Sequence, residues 1–256
     1  DGTDRQRRGK IAYSEVYDAS KTPDPDNHER GSKRIGTNLK EGLKILKKAN
    51  RSKKTDKKAA AMWDILDRLA EKFPSLFEES YLAIAPKIAG AAAYYQPRSR
   101  TVVVQPSDSS VQTLLHETIH AITLPIMKKE LADLGSKYPE LETFLYIEYR
   151  KPTDIIKTYQ AIAEKAPNTT MGQLAKLIMI TIEEQGIETY LANRKISGYG
   201  FYGSGSPRLG TQVPYGLAQM VEFVTEAMSN PTFQRELESI KMPASDKTSV
   251  WSEFTK

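Results

Sequence analysis

Leu114-Leu115-His116-Glu117-Thr118-Ile119-His120-Ala121 is the stretch on which the reading of this chain turns. It holds two of the three histidines, four residues apart, with a glutamate directly after the first. On an α-helix, positions four apart lie on one face about a turn apart, so both imidazoles reach one point. Each residue adds about 100° around the axis, which puts Glu117 on the flank of that face. Val111, Leu115, Ile119 and Ile122 form an apolar stripe beside the histidines. Ser107, Asp108 or Ser109 is expected to cap the start of this helix, and Pro125 is expected to stop it.

Two imidazoles on one Zn²⁺ with a carboxylate beside the open coordination position is the H-E-x-x-H arrangement of zinc peptidases. With only three His in 256 residues, a chance match is expected at well under roughly 1%. The bland alternative is a helix with two ordinary histidines, one of them satisfied in the core. The chain has no cysteine, which excludes disulfides and thiolate metal sites and leaves the redox compartment open. A third protein ligand must then be Asp, Glu or His28. His28, in Pro25-Asp26-Asn27-His28-Glu29, reads as a solvated loop residue.

Charge divides the chain. Residues 1–58 carry 17 Lys/Arg against 9 Asp/Glu, a net of +8, while the remainder carries 20 against 23, a net of −3. That asymmetry predicts a basic arm on a mildly acidic globule, and the arm is a candidate contact for nucleic acid. A solvated basic face is the commoner meaning of such a run. No stretch of eighteen apolar residues exists, so no membrane span is expected. Asp1-Gly2-Thr3-Asp4-Arg5 lacks a starting Met and an apolar signal region, so the chain is expected to be a piece of a longer protein.

Residues 1–36 are polar and rich in Asp, Arg, Lys and Pro, and are expected to be extended with few regular elements. Leu39, Leu43 and Leu46 predict a helix over about 37–50, and Met62, Trp63, Leu66 and Leu69 predict another ending at Pro74. Residues 81–85 read as a strand. Residues 91–96 and 101–105 read as a hairpin joined by Pro97-Arg98-Ser99-Arg100. Helical spacing then runs over about 127–137, 139–150, 152–166 and 170–194. A Gly- and aromatic-rich loop follows over 197–216, with Tyr199 and Tyr202 as candidate cleft residues. Helices over 216–229 and 231–241 close the fold, with 243–256 as a tail. The domain boundaries predicted are 1–56 for the basic arm and short helix, 57–242 for the main domain, and 243–256 for the tail.

The third ligand must come from a distant segment. Metzincins place a third His six residues after the second, with a Gly midway, but here those positions are Ile126 and Thr123. In Val221-Glu222-Phe223-Val224-Thr225-Glu226-Ala227, two glutamates stand one turn apart on the same face amid apolar neighbours. Carboxylates in that setting are costly unless paired with metal or imidazole. One would be a ligand and the other a supporting acceptor for a ligand His N–H. Glu183 and Glu188, in Ile182-Glu183-Glu184-Gln185-Gly186-Ile187-Glu188-Thr189, compete for the ligand role.

E-F-V-T-E-A, with Tyr215 seven residues before its first Glu, resembles the active-site helix of gluzincin metallopeptidases of the anthrax lethal factor type. The longer run Val221 to Gln234 also resembles metallopeptidase domains of large multidomain phage proteins. The resemblance covers roughly residues 80–125 and 213–235. It departs from the family in the 102 positions between His120 and Glu222, a longer connection than usual. It implies that Glu222 binds Zn²⁺ with His116 and His120, that Glu226 supports a ligand His, and that Tyr215 assists the chemistry. The location stays open from sequence, with a phage virion or bacterial cytoplasm as the settings the resemblance suggests.

The fold expected is α+β and predominantly helical. It is a zincin-like domain with a small sheet beside the H-E-x-x-H helix and a helical C-terminal part. The activity expected is hydrolysis of a protein or peptide substrate, as an endopeptidase rather than an exopeptidase. Glu117 takes a proton from a metal-activated water, and Tyr215 donates to the developing oxyanion. An extended substrate is expected to add to an edge strand at Thr101 to Gln105. The rival expectation is a basic nucleic-acid-binding or virion-associated structural module with a degenerate metal site.

Overall fold

The computed structural model describes residues 22–23, 32–50, 57–86, 92–105, 110–139, 152–185, 220–243 and 245–256. It is predominantly helical with a small mixed sheet, an α+β fold. The chain divides into two compact units, Asp1–Ile122 and Thr123–Lys256.

The first unit is built on a five-stranded sheet. Its strands are β1 (Thr22–Pro23), β2 (Lys33–Arg34), β3 (Tyr81–Ile84), β4 (Ala93–Gln96) and β5 (Thr101–Val104). Their order is β1-β2-β3-β5-β4. β3 and β5 run parallel, Tyr81 opposite Thr101 and Ile84 opposite Val104, whereas β4 and β5 pair antiparallel, Ala93 opposite Val104. Thr101-Val102-Val103-Val104 is β-branched throughout and buried at every position. That composition suits a strand covered on both faces. Side chains alternate across the sheet, so Ala83, Ala85 and Val103 share one face, with Tyr94 packed against them.

Two results here differ from the sequence expectation. Strand 101–104 is interior, so Thr101 to Gln105 is not an edge; among the described residues β1 and β4 are the end strands. Lys33–Arg34, expected to be irregular arm, pairs antiparallel with β3. Two charged residues carry no strand signal, and their pairing is set by the partner strand.

Helices α1 (Leu39–Asn50), α2 (Lys57–Lys72) and α3 (Pro74–Glu78) complete this unit before the sheet crossover. The Asn38 carboxamide caps α1 by accepting from the Glu41 N–H at 2.9 Å, while Glu41 Oε2 accepts from the Thr37 N–H at 2.6 Å. This is close to a capping box. Gly36, at φ +69°, turns the chain from β2 into α1, and Gly42 lets α1 approach the sheet. A Cβ on Gly42 would lie 2.7 Å from the Ile35 carbonyl oxygen and 2.9 Å from Leu82 Cβ. Pro74 ends α2 as expected, and it then opens α3 from the first helical position.

Helix α4 (Val111–Lys137) follows β5. The cap is Ser110, one residue past the three expected, with its Oγ accepting from the Thr113 N–H at 3.1 Å. The expected stop at Pro125 is overturned, since the helix continues through it. An interior proline costs on the order of 3 kcal/mol through its lost N–H and its ring clash. The segment beyond it is rich in helix formers and buries Met127 and Leu134, each contributing about 1.5–3 kcal/mol. Burial wins over the single missing bond.

The second unit has one apolar core. Helices α5 (Pro152–Lys165) and α6 (Thr170–Gln185) pack together. Along α6, Met171, Leu174, Ala175 and then Leu177 to Ile182 are all buried. Helices α7 (Met220–Ser229) and α8 (Pro231–Ser239) follow, then a ribbon of β6 (Lys241–Met242) and β7 (Ser245–Ser249), then α9 (Val250–Phe254). Residues 245–254, read from sequence as tail, are therefore ordered elements. Val250 is fully buried, and Trp251 and Phe254 pack against the core. Residues 140–150 of the helix expected over 139–150, and 186–194 of the one expected over 170–194, lie outside the described residues. No helix among the described residues is long and apolar enough to cross a membrane.

Candidate metal centre

His116 and His120 stand one turn apart on α4, and their rings meet edge to face with centroids 4.8 Å apart. The two Nε2 atoms are 3.2 Å apart. Two nitrogens bound to one tetrahedral cation at about 2.05 Å would be separated by about 3.3 Å. The histidine pair is thus already at chelating distance. A shared proton between two imidazoles would give a similar spacing, so the carboxylate decides between the two.

That carboxylate is Glu222, in the first turn of α7. One ligand atom from each of His116, His120 and Glu222 lies within 4.8 Å of the others. Glu222 is 6% exposed and His120 is 7% exposed; among the described residues they are the only buried carboxylate and the only buried imidazole. Taking a carboxylate out of water costs several kcal/mol unless a cation or strong donors replace the lost hydration. Two nitrogens and one oxygen converging on one point form a donor set suited to a metal ion, and the residues present fit one.

No protein-family model, curated protein or solved structure matches the chain.

Glu117 follows His116 on α4 and is partly exposed, as expected of a residue on the flank of the histidine face. Glu226, one turn beyond Glu222, is half-buried, and its Oε2 accepts a hydrogen bond from Asn230 Nδ2 at 2.5 Å. The other buried polar groups on α7 are satisfied within the helix. Thr225 Oγ1 donates to the Val221 carbonyl at 2.7 Å and Ser229 Oγ to that of Thr225 at 2.7 Å. Glu183, the rival ligand, is exposed on α6 and is not part of the group. Glu188, Tyr215, Tyr199, Tyr202 and His28 lie outside the described residues.

Sequence reasoning did not register Phe223 and Asn230. Phe223 is fully buried beside Glu222 and is held edge-on by Phe233 of α8, centroids 5.6 Å apart, and by Phe254 of α9, 5.9 Å apart. These contacts fix the rotation of α7 about its axis, and with it the side from which Glu222 projects. The signal available was only one Phe in each of three separate helices, which reads as ordinary core.

Proposed function

We propose that the chain is a zinc-dependent peptidase of the gluzincin kind, with a zincin-like fold around the α4 helix. The observation that carries this reading is the approach of the buried Glu222 carboxylate to within 4.8 Å of the paired imidazoles of His116 and His120. A set of two imidazoles and one carboxylate leaves a fourth tetrahedral position open, the pattern of catalytic zinc sites. Bound there, zinc would supply an acidified water and a Lewis acid for the scissile carbonyl.

The protein's own share of the chemistry is proton handling and substrate placement. Glu117 stands beside the first ligand histidine, where it takes the proton released as the nucleophile attacks and returns it to the departing nitrogen. Tyr215 is proposed as the donor to the oxyanion. The substrate strand would add to β4, Ala93–Gln96, one of the two end strands of this sheet among the described residues. Of its side chains, Tyr94 and Gln96 are half-buried, with Tyr94 packed on Ala83, Ala85 and Val103.

The test is to count zinc in the purified chain and to compare wild type with Glu117→Gln on a mixed peptide library. The expected result is about one zinc per chain in both proteins, with hydrolysis lowered about 10²–10⁴-fold in the variant. Full activity in Glu117→Gln would remove Glu117 as the base. A wild type that retains no zinc after incubation with the metal would remove the whole reading. In that case the +8 charge of residues 1–58 would direct attention to nucleic acid.

A further inference from the structure

The positive charge of the N-terminal segment is concentrated at α1 and the residues just after it, not in the arm before it. Residues 1–39 hold 8 Lys/Arg against 7 Asp/Glu, a net of +1, whereas residues 40–58 hold 9 against 2, a net of +7. Four of those nine stand on α1: Lys40, Lys44, Lys47 and Lys48. At about 100° per residue, they fall within about 100° of the helix circumference. The buried residues Leu39, Gly42, Leu43, Leu46 and Asn50 occupy a different side. Lys47 closes an ion pair with Asp67 of α2 at 2.5 Å. Lys40, Lys44 and Lys48 have no ion pair among the described residues; Lys44 and Lys48 are exposed and Lys40 is partly so. Spaced four apart, these three set like charge beside like, which weakens a helix. The one acid on α1, Glu41, accepts instead from the Thr37 N–H at 2.6 Å and hydroxyl at 2.5 Å.

We propose that the lysine stripe of α1 binds the phosphate backbone of duplex nucleic acid. From Lys40 to Lys48 the stripe is about 12 Å long at about 1.5 Å per residue, a length over which a duplex presents about seven phosphate charges. Entry into a lipid surface needs a helix with a free apolar face. On α1 that face is taken, since Leu39, Leu43 and Leu46 are buried and only Ile45 is an exposed large hydrophobic. Single strands are held on aromatic platforms. Among the described residues the exposed large hydrophobics are Ile45 and Ile126, neither of them aromatic. Lysine ammonium groups are point charges on flexible stems, so the contact is to phosphate and is indifferent to base sequence. Nothing in the stripe depends on the metal centre, and its test is read apart from zinc.

Two triple variants of the full chain remove equal charge from different places. Lys40→Gln/Lys44→Gln/Lys48→Gln empties the stripe, and Arg5→Gln/Arg7→Gln/Arg8→Gln empties part of the arm. Binding would be followed by the anisotropy of a labelled duplex of about 30 base pairs between about 50 and 200 mM salt. Wild-type affinity is expected to fall about 40-fold or more across that range. In the stripe variant the slope of log affinity against log salt is expected to be shallower by about 2–3, and in the arm variant to stay as in wild type. Zinc content and melting temperature of the stripe variant are expected to match wild type.

Equal losses in the two variants would show that net charge binds rather than the stripe, and would overturn the proposal. So would absence of duplex binding by wild type at about 50 mM salt. Tighter binding to the matching single strand, or to phosphatidylcholine vesicles with about 30% phosphatidylserine, would overturn the choice of partner. Should the stripe variant melt far below wild type, Lys40→Gln and Lys48→Gln are measured singly. A slope shallower by about 1 in each supports the stripe, and an unchanged slope in either overturns it.

Discussion

At the scale of single residues, the molecule separates ionisable groups by whether they have a reason to be buried. Lys47 pairs with Asp67 at 2.5 Å at the surface, where such pairs contribute at most about 1 kcal/mol. Glu41 is exposed as well, but two hydrogen bonds from Thr37 hold its carboxyl below the ordinary value of 4.5. A group whose folded pKa is lowered stabilises the fold above its unfolded pKa and loses that contribution as pH falls through the folded value. Wild type is therefore expected to melt above Glu41→Gln at pH 7, with the gap closing as the buffer is taken below pH 4.5. Thermal melts of both proteins across that range check it, and a gap independent of pH would remove the Thr37–Glu41 contact as its source. His120 and Glu222 are the opposite case, buried ionisable side chains brought together from positions far apart in sequence. His116 and His120 were legible as a pair because helix periodicity fixes their spacing. Chemistry pointed to the Glu222–Glu226 pair and the family resemblance chose Glu222 within it, because no local pattern encodes a contact across a hundred residues.

At the scale of elements, periodicity read α1 and α5 to within a residue or two at each end, and the end of α2 equally closely, since each places apolar residues at three- and four-residue spacing. The start of α4 was missed by one position because Ser107, Asp108, Ser109 and Ser110 are four capping residues in a row. Its passage through Pro125 was illegible locally, because the burial that outweighs the proline is provided by tertiary packing. The pairing order of the strands was equally hidden: hairpin β4–β5 follows from its turn, but nothing in either strand says that β3 lies against β5. How α1 meets the sheet depends on Gly42. Alanine there gains about 1 kcal/mol of helix propensity, and it also forces a methyl into Ile35 backbone and Leu82 Cβ, neither of which can rotate away. Overpacking of that kind costs about 1–3 kcal/mol and is expected to win, so Gly42→Ala should lower the urea midpoint. A raised midpoint would mean that α1 does not press on β3 at that point.

At the scale of the whole molecule, the two compact units are differently built, the first on a sheet and the second on a helical core. The C-terminal residues belong to that second core. Val250, Trp251 and Phe254 account for the only apolar side chains in residues 244–256 apart from Ala244, too few for a periodic signal, yet they close the core around Phe223. Removing residues 245–256 deletes one fully buried and two half-buried apolar side chains, a loss on the order of 4 kcal/mol. Denaturant unfolding of the shortened chain is expected to show a clear fall in stability, whereas a loose tail would leave the midpoint where it was. Because Phe254 also packs on the ring beside Glu222, the same truncation is expected to weaken metal retention.

The most direct test of the central claim is X-ray absorption at the zinc edge on the chain loaded with one equivalent of metal. The account predicts scattering from two imidazoles and from oxygen at about 2.0–2.1 Å, with a simpler first shell and weaker retention in Glu222→Ala. A zinc spectrum lacking imidazole scattering, or one left unchanged by Glu222→Ala, would contradict it.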